Sequence, residues 1–206
     1  MKRHGLFITF EGPEGSGKST QVRQLAAWLR HRGRRVLMLR EPGGTTLGER
    51  LRRVLLSPST GGLSPRTDAF LYMAARAELV ETVIRPALAR GMVVLCDRFL
   101  DSTLAYQGYG SGVDVAALRA MGRVATAGIS SRLTFLLDLP PAAGLRRVRG
   151  MKDRIERRAM SFHERVRRGY LALARREPKR FRVLDARQSR AIIQRQVRKI
   201  VAECVA

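Results

Sequence analysis

Gly12-Pro13-Glu14-Gly15-Ser16-Gly17-Lys18-Ser19 fits the spacing G-x-x-x-x-G-K-[ST] and stands between an apolar run and an amphipathic stretch. In that context the glycines let backbone N–H groups converge on phosphates at a helix N-terminus, where open donors and the helix dipole both favour anions. The loop therefore predicts a nucleoside triphosphate, with ATP the expected one, bound by Gly12 to Ser19 and by Thr20 just beyond. Lys18 is expected to reach the β and γ oxygens, and Ser19 to offer its hydroxyl to Mg²⁺. What the triphosphate is used for needs a second observation. A hydrolysing switch must position a water, whereas a small-molecule kinase must bind a second anionic substrate and shield both from water. Asp97-Arg98 follows a later apolar run and falls at a strand's C-terminal end, where open α/β sheets bind ligands. Asp97 is a candidate Mg²⁺ ligand and Arg98 a candidate phosphate ligand.

The elements that must position these residues are legible as short apolar runs. Leu6 to Phe10, Arg35 to Leu39, Met92 to Cys96, Leu133 to Leu137 and Phe181 to Leu184 lack polar alternation, as expected of strands buried on both faces of a parallel sheet. Between the first two, Val22, Leu25, Ala26 and Leu29 fall on one helical face, and Gly33 stands where a C-cap would. Residues 66–90, with Pro86 as the expected break, and 113–127, 141–149, 157–176 and 189–203 also read as helices. Alternating strands and helices imply a doubly wound α/β sheet. A chain of 206 residues without repeats or an obvious linker is expected to form one domain.

Charge is the unusual quantity. Lys and Arg number 40 against 17 Asp and Glu, a net charge of +23, and the excess is concentrated toward the C-terminus. This motivates a rival reading as a regulatory or nucleic-acid-binding protein. Only five of the cations are lysines, a skew that points to arginine-favouring codon usage, so nucleic acid is not the expected partner. No apolar run approaches the roughly 18 residues of a membrane span. No secretory leader is recognisable, and Cys96 and Cys204 read as free thiols, so a cytoplasmic protein is expected.

The chain resembles the thymidylate kinases, which move the γ-phosphoryl group of ATP onto dTMP. The likeness spans nearly the whole chain. It rests on the loop Gly12 to Ser19, Arg40-Glu41-Pro42-Gly43-Gly44-Thr45, Met73-Ala74-Ala75-Arg76, Asp97-Arg98-Phe99 with Ser102 to Gly108, and Asp153-Arg154-Ile155-Glu156. The resemblance implies a P-loop NTPase-type five-stranded parallel sheet flanked by helices, in the manner of nucleoside monophosphate kinases. It also implies a mobile lid at about residues 143–156, Mg²⁺ dependence, a homodimer and a role in dTTP synthesis.

Carried over position by position, the resemblance places Arg76 and Arg98 on the phosphate of dTMP, Tyr72 against the thymine ring, and Thr103 and Gln107 on the base edge. Tyr106 would crowd C2′ of the sugar, Glu14 would meet the 3′-hydroxyl, Arg40 would lie beside the sugar and acceptor phosphate, and Pro42 would pack on the base. Tyr72 departs from the usual phenylalanine. Some members carry an arginine inside the phosphate loop, but here Gly15 and Ser16 fill that region. The other subgroup supplies the charge from the lid, which makes Arg149 or Arg154 the expected catalytic cation beside Lys18 and Arg98. His4, His31 and His163 form no cluster and read as structural or surface residues. A kinase for another monophosphate, such as dUMP, is the nearer alternative, because one methyl in an apolar pocket discriminates by only about 1–3 kcal/mol.

Overall fold

The protein is described by a computed structural model covering residues 5–148 and 150–205. Five parallel strands lie in the order β2-β3-β1-β4-β5, where β1 is Leu6–Glu11, β2 Val36–Arg40, β3 Val93–Asp97, β4 Leu133–Asp138 and β5 Phe181–Asp185. Each begins within one residue of its expected start.

Alternate residues of the strands feed opposite faces. Leu6, Ile8 and Phe10 pack on one side with Val22, Leu25 and Leu29 of α1 (Lys18–His31) and Ile193, Val197 and Val201 of α9 (Arg190–Val205). Full burial of a side chain of this size contributes about 1.5–3 kcal/mol. The other face is covered by α3 (Pro65–Leu79), α4 (Arg85–Ala89), α6 (Val115–Ala125) and α8 (Met160–Arg176). The chain also forms α2 (Thr46–Leu56), the short α5 (Leu100–Thr103) and α7 (Pro141–Arg147).

The register determines what meets at the top of the sheet. Phe10 lies opposite Asp97, and Arg40 lies opposite Asp97 from the other side, so β1, β2 and β3 end together. The loop after β1 therefore opens at the crevice where the strand order reverses.

Two expectations are corrected. The helix expected to break at Pro86 instead widens before it, in a π-helical turn at Val80–Ile84 where Arg85 N–H bonds Val80 O, and Pro86 lies in the first turn of the next helix. The wide turn displaces the carbonyl that the proline ring would strike. Helix α2 and the helical segment Leu100–Gly110, which ends in a second π-helical stretch at Leu104–Gly110, were not expected as elements. Among the described residues no helix is long and apolar enough to cross a membrane.

Candidate active site

The phosphate loop leaves β1 at Glu11 and enters α1 at Lys18. Gly17, in the left-handed region at φ 92°, caps the helix without a side-chain acceptor, and the first turn has no acidic residue. Open N–H donors and an uncompensated dipole make this end an anion site. Lys18 Nζ donates to Gly12 O at 2.9 Å and Pro13 O at 2.8 Å, so its ammonium lies across the loop. Ser19 Oγ donates to Asp97 Oδ2, which brings the two expected Mg²⁺ ligands together. Gly15 meets the backbone of α7: a Cβ there would lie 2.2 Å from Gly144 O, and one on Gly144 would lie 2.2 Å from Glu14 O.

A cleft of about 320 Å³ opens from this loop, and its far wall carries the residues expected for an acceptor. Arg98 is held at φ +71°, a conformation that costs a non-glycine residue on the order of 1–3 kcal/mol. Its guanidinium donates to Gly12 O at 3.1 Å, Tyr170 Oη at 3.2 Å and Glu14 Oε1 at 3.3 Å. Glu14 Oε1 also accepts from the Tyr106 hydroxyl, whose ring lies 5.0 Å from the Arg98 guanidinium carbon. Arg40, which reaches Glu49 at 3.3 Å, and Pro42, whose carbonyl accepts from Arg52 at 2.9 Å, line the same space with Tyr72.

Arg76 is engaged differently from Arg98. Nε and Nη2 grip Glu41 Oε2 at 2.9 and 2.6 Å, while Nη2 also reaches Phe99 O and Thr103 Oγ1 at 3.1 and 3.0 Å. Both partners of the pair are nearly inaccessible, at 1% and 4% side-chain exposure. Its charge is already compensated, so the geometry suits donation to a neutral carbonyl better than compensation of a dianion. Of the two arginines that the resemblance sets on the phosphate, Arg98 is the more accessible, at 21% side-chain exposure.

Burial and neighbouring charge set the titration of the loop. Burial pushes Lys18 down to about 8, helped by Arg98 and opposed by Asp97, Glu14 and Glu11. Burial would raise Glu14, but His163, Arg98, Lys18 and Tyr106 together bring it to about 2. Glu11 is pushed up to about 7 by burial and by Asp101, against Ser102, Arg98 and the Phe99 N–H. Burial likewise raises the Tyr72 hydroxyl.

The two cations expected of a lid separate. Arg149 lies outside the described residues. Arg154 is not brought to the phosphate loop: Nε donates to Leu55 O at 2.7 Å and Nη2 to Asp68 Oδ1, fastening the segment to α2 and α3. Its neighbours close a tight turn, since Asp153 Oδ1 accepts from Ile155 N and Glu156 N at 2.8 Å each, and Glu156 Oε2 accepts from Asp153 N at 3.0 Å.

Three residues with a place in the site were not singled out from sequence. His163, buried on α8, puts Nδ1 3.4 Å from Glu14 Oε2. Tyr170, two turns later on the same face, bonds Ser102 at 2.7 Å and Glu11 Oε2 at 3.1 Å. Glu11 itself accepts from the Phe99 N–H at 2.8 Å and from Ser102 Oγ at 2.6 Å. The signal available was polar residues at i and i+7 on the face that also presents the apolar Phe162 and Val166.

A phosphate loop at the switch point of a parallel sheet, facing a cleft with a buried arginine, defines a P-loop phosphotransferase of the nucleoside monophosphate kinase type. The thymidylate kinase profile matches residues 10–197. The chain is 53% identical over 192 residues to the thymidylate kinase of Desulfovibrio desulfuricans, covering 89% of this chain and 88% of that protein. It is 50% identical over 201 residues to that of Deinococcus radiodurans, covering 97% of each. The crystal structure of thymidylate kinase from Ehrlichia chaffeensis superposes with a TM-score of 0.79 at 32% identity, over 96% of this chain and 99% of that one. The chain belongs to the thymidylate kinase family.

Proposed function

We infer that the protein transfers the γ-phosphoryl group of ATP to dTMP, giving ADP and dTDP. The observation that carries this is one cleft bounded by Lys18 and Ser19 on the donor side and by Arg98, Arg76 and Gln107 on the acceptor side. A phosphate monoester with a second pKa near 6 is already largely dianionic at neutral pH, so no general base is required. A phosphate oxygen of dTMP attacks phosphorus as the bond to the β-phosphate oxygen breaks, and the electron pair leaves with ADP. Arg98 aligns the acceptor phosphate, Lys18 follows charge toward the bridging oxygen, and the open N–H groups of the loop hold the donor.

Ser19 and Asp97 offer a hydroxyl and one carboxylate, hard oxygen donors that suit Mg²⁺ and would hold it. Held by these two residues, the ion would supply positive charge against that developing on the transferring phosphoryl group. ADP release coupled to a dehydrogenase tests the reading: turnover should need both dTMP and Mg²⁺ and should be fastest with dTMP among dTMP, dUMP, dCMP and UMP. A different best acceptor would overturn the substrate, and ADP release indifferent to acceptor would overturn the kinase.

We also propose a homodimer. Phe70 of α3 and Val124 of α6 are 62% and 83% exposed, large apolar side chains on helices that pack side by side. Sedimentation should give the mass of two chains for the protein and of one for Phe70→Glu; a monomeric parent would exclude this.

A further inference from the structure

Gln107 lies 2% exposed at the acceptor end of the cleft, and its Nε2 donates to Asp68 Oδ2 at 2.8 Å. Asp68, in the first turn of α3 and 5% exposed, gives its other oxygen to Arg154 Nη2. Asp68 and Arg154 do not line the cleft themselves. Three side chains thus form one relay, from the segment around Arg154 through α3 to Gln107 in the wall of the cleft.

A carboxylate only accepts, whereas an amide both donates and accepts and can turn over within the same volume. With Nε2 committed to Asp68, Gln107 has Oε1 to present to the cleft. We propose that Asp68 is a positioning residue that sets the class of base accepted, and that Arg154 fixes Asp68 so that lid seating and base readout are coupled. The proposal rests on the dTMP reading above. Thymine and uracil carry an N3–H that would meet Oε1 as a donor, while cytosine has an acceptor at N3, so two lone pairs would oppose each other in a buried place. Sites built on buried hydrogen bonds reject a mismatched partner far better than apolar pockets do.

The near-isosteric Asp68→Asn gives a signature that loss of structure would not. Arg154 can bond only the oxygen of the introduced amide, which turns the new NH₂ toward Gln107 and so turns Gln107 Nε2 into the cleft. The ratio of kcat/KM for dTMP to that for dCMP should fall about 10- to 100-fold, with dCMP turnover rising in absolute terms. Adding Arg154→Met frees the introduced amide to turn back and should restore part of the ratio. Equal losses for both acceptors, or a ratio unchanged by Asp68→Asn, would overturn the proposal. Should Asp68→Asn fail to fold, the single variant Arg154→Met carries the test, with the ratio falling several-fold as Asp68 loses its anchor.

The Gln107 side-chain amide resonances of the ligand-free protein read the relay without any acceptor. They should move in Asp68→Asn and broaden in Arg154→Met. If they do not, the relay is absent whatever the kinetics. If they do while the parent protein prefers another monophosphate, the dTMP reading fails and the relay stands.

Discussion

Replacing Lys18 with alanine is expected to lower dTMP-dependent ADP release at least about 10²- to 10³-fold, the cost typical of removing one preorganised charge from a transferring group. Binding of dTMP, measured by calorimetry without nucleotide, should change little, because the ammonium lies on Gly12 O and Pro13 O at the donor side. Retained turnover would remove the phosphate loop from the chemistry. The same residue predicts a pH dependence. Burial, with Arg98 next, holds Lys18 at about 8, so the neutral amine gains population as pH rises past that value. A triphosphate binds the charged form, and ATP binding must then take up a proton. Calorimetry in buffers of different ionisation enthalpy should show proton uptake that grows from pH 7 to pH 9 for the parent protein and is absent for Lys18→Ala. Buffer-independent heats would rule out the depressed lysine.

The second large effect is on stability. Arg76→Ala removes the partner that grips Glu41 by two donors and leaves a buried carboxylate whose Oε1 already has no partner. Breaking a buried pair from one side typically costs about 3–5 kcal/mol. For a domain of this length that is a fall in Tm of about 6–20 °C. Its pH dependence has a definite sign. Burial raises Glu41 and Arg76 lowers it, so losing Arg76 raises it further. A carboxyl with a raised folded-state pKa contributes stability at low pH that disappears as pH rises through that value. The deficit of Arg76→Ala should therefore be smaller at pH 5 than at pH 8 in thermal melts. Glu41→Leu with Arg76→Met should lose less than the two single changes together, since no charge is left unpaired. Equal deficits at both pH values, or additive losses, would show that the pair is not what holds this wall.

How far the sequence reached depends on whether a signal was local. The five strands were legible because each is a run buried on both faces, and α1 because its apolar residues keep one face. Helix α2 was missed although Thr45 caps it by accepting from Gly48 N, because Gly48 and the three arginines Arg50, Arg52 and Arg53 within its eleven residues mask its pattern. The segment Leu100–Gly110 holds Gly108 and Gly110, which argue against a helix locally. Its neighbours decide otherwise: a Cβ on Gly110 would lie 2.7 Å from the Phe162 ring and 2.8 Å from Val166, so close packing on α8 supplies what propensity does not. In the site, the phosphate loop and Asp97-Arg98 were legible as adjacent residues. The contacts of His163 with Glu14 and of Tyr170 with Glu11 join positions about 150 residues apart, and no spacing rule encodes them. Arg154 shows the opposite limit. Its motif was recognisable, but the direction of its side chain is set by Leu55 O and Asp68.

Because Gly15 and Gly144 meet backbone to backbone, a cationic side chain at position 15 requires α7 to shift. Any side chain there would collide with a carbonyl rather than with a yielding side-chain tip. The room for a cationic side chain in the phosphate loop is thus set by the backbone of α7, and a cation for the donor phosphates is reached more readily from another segment.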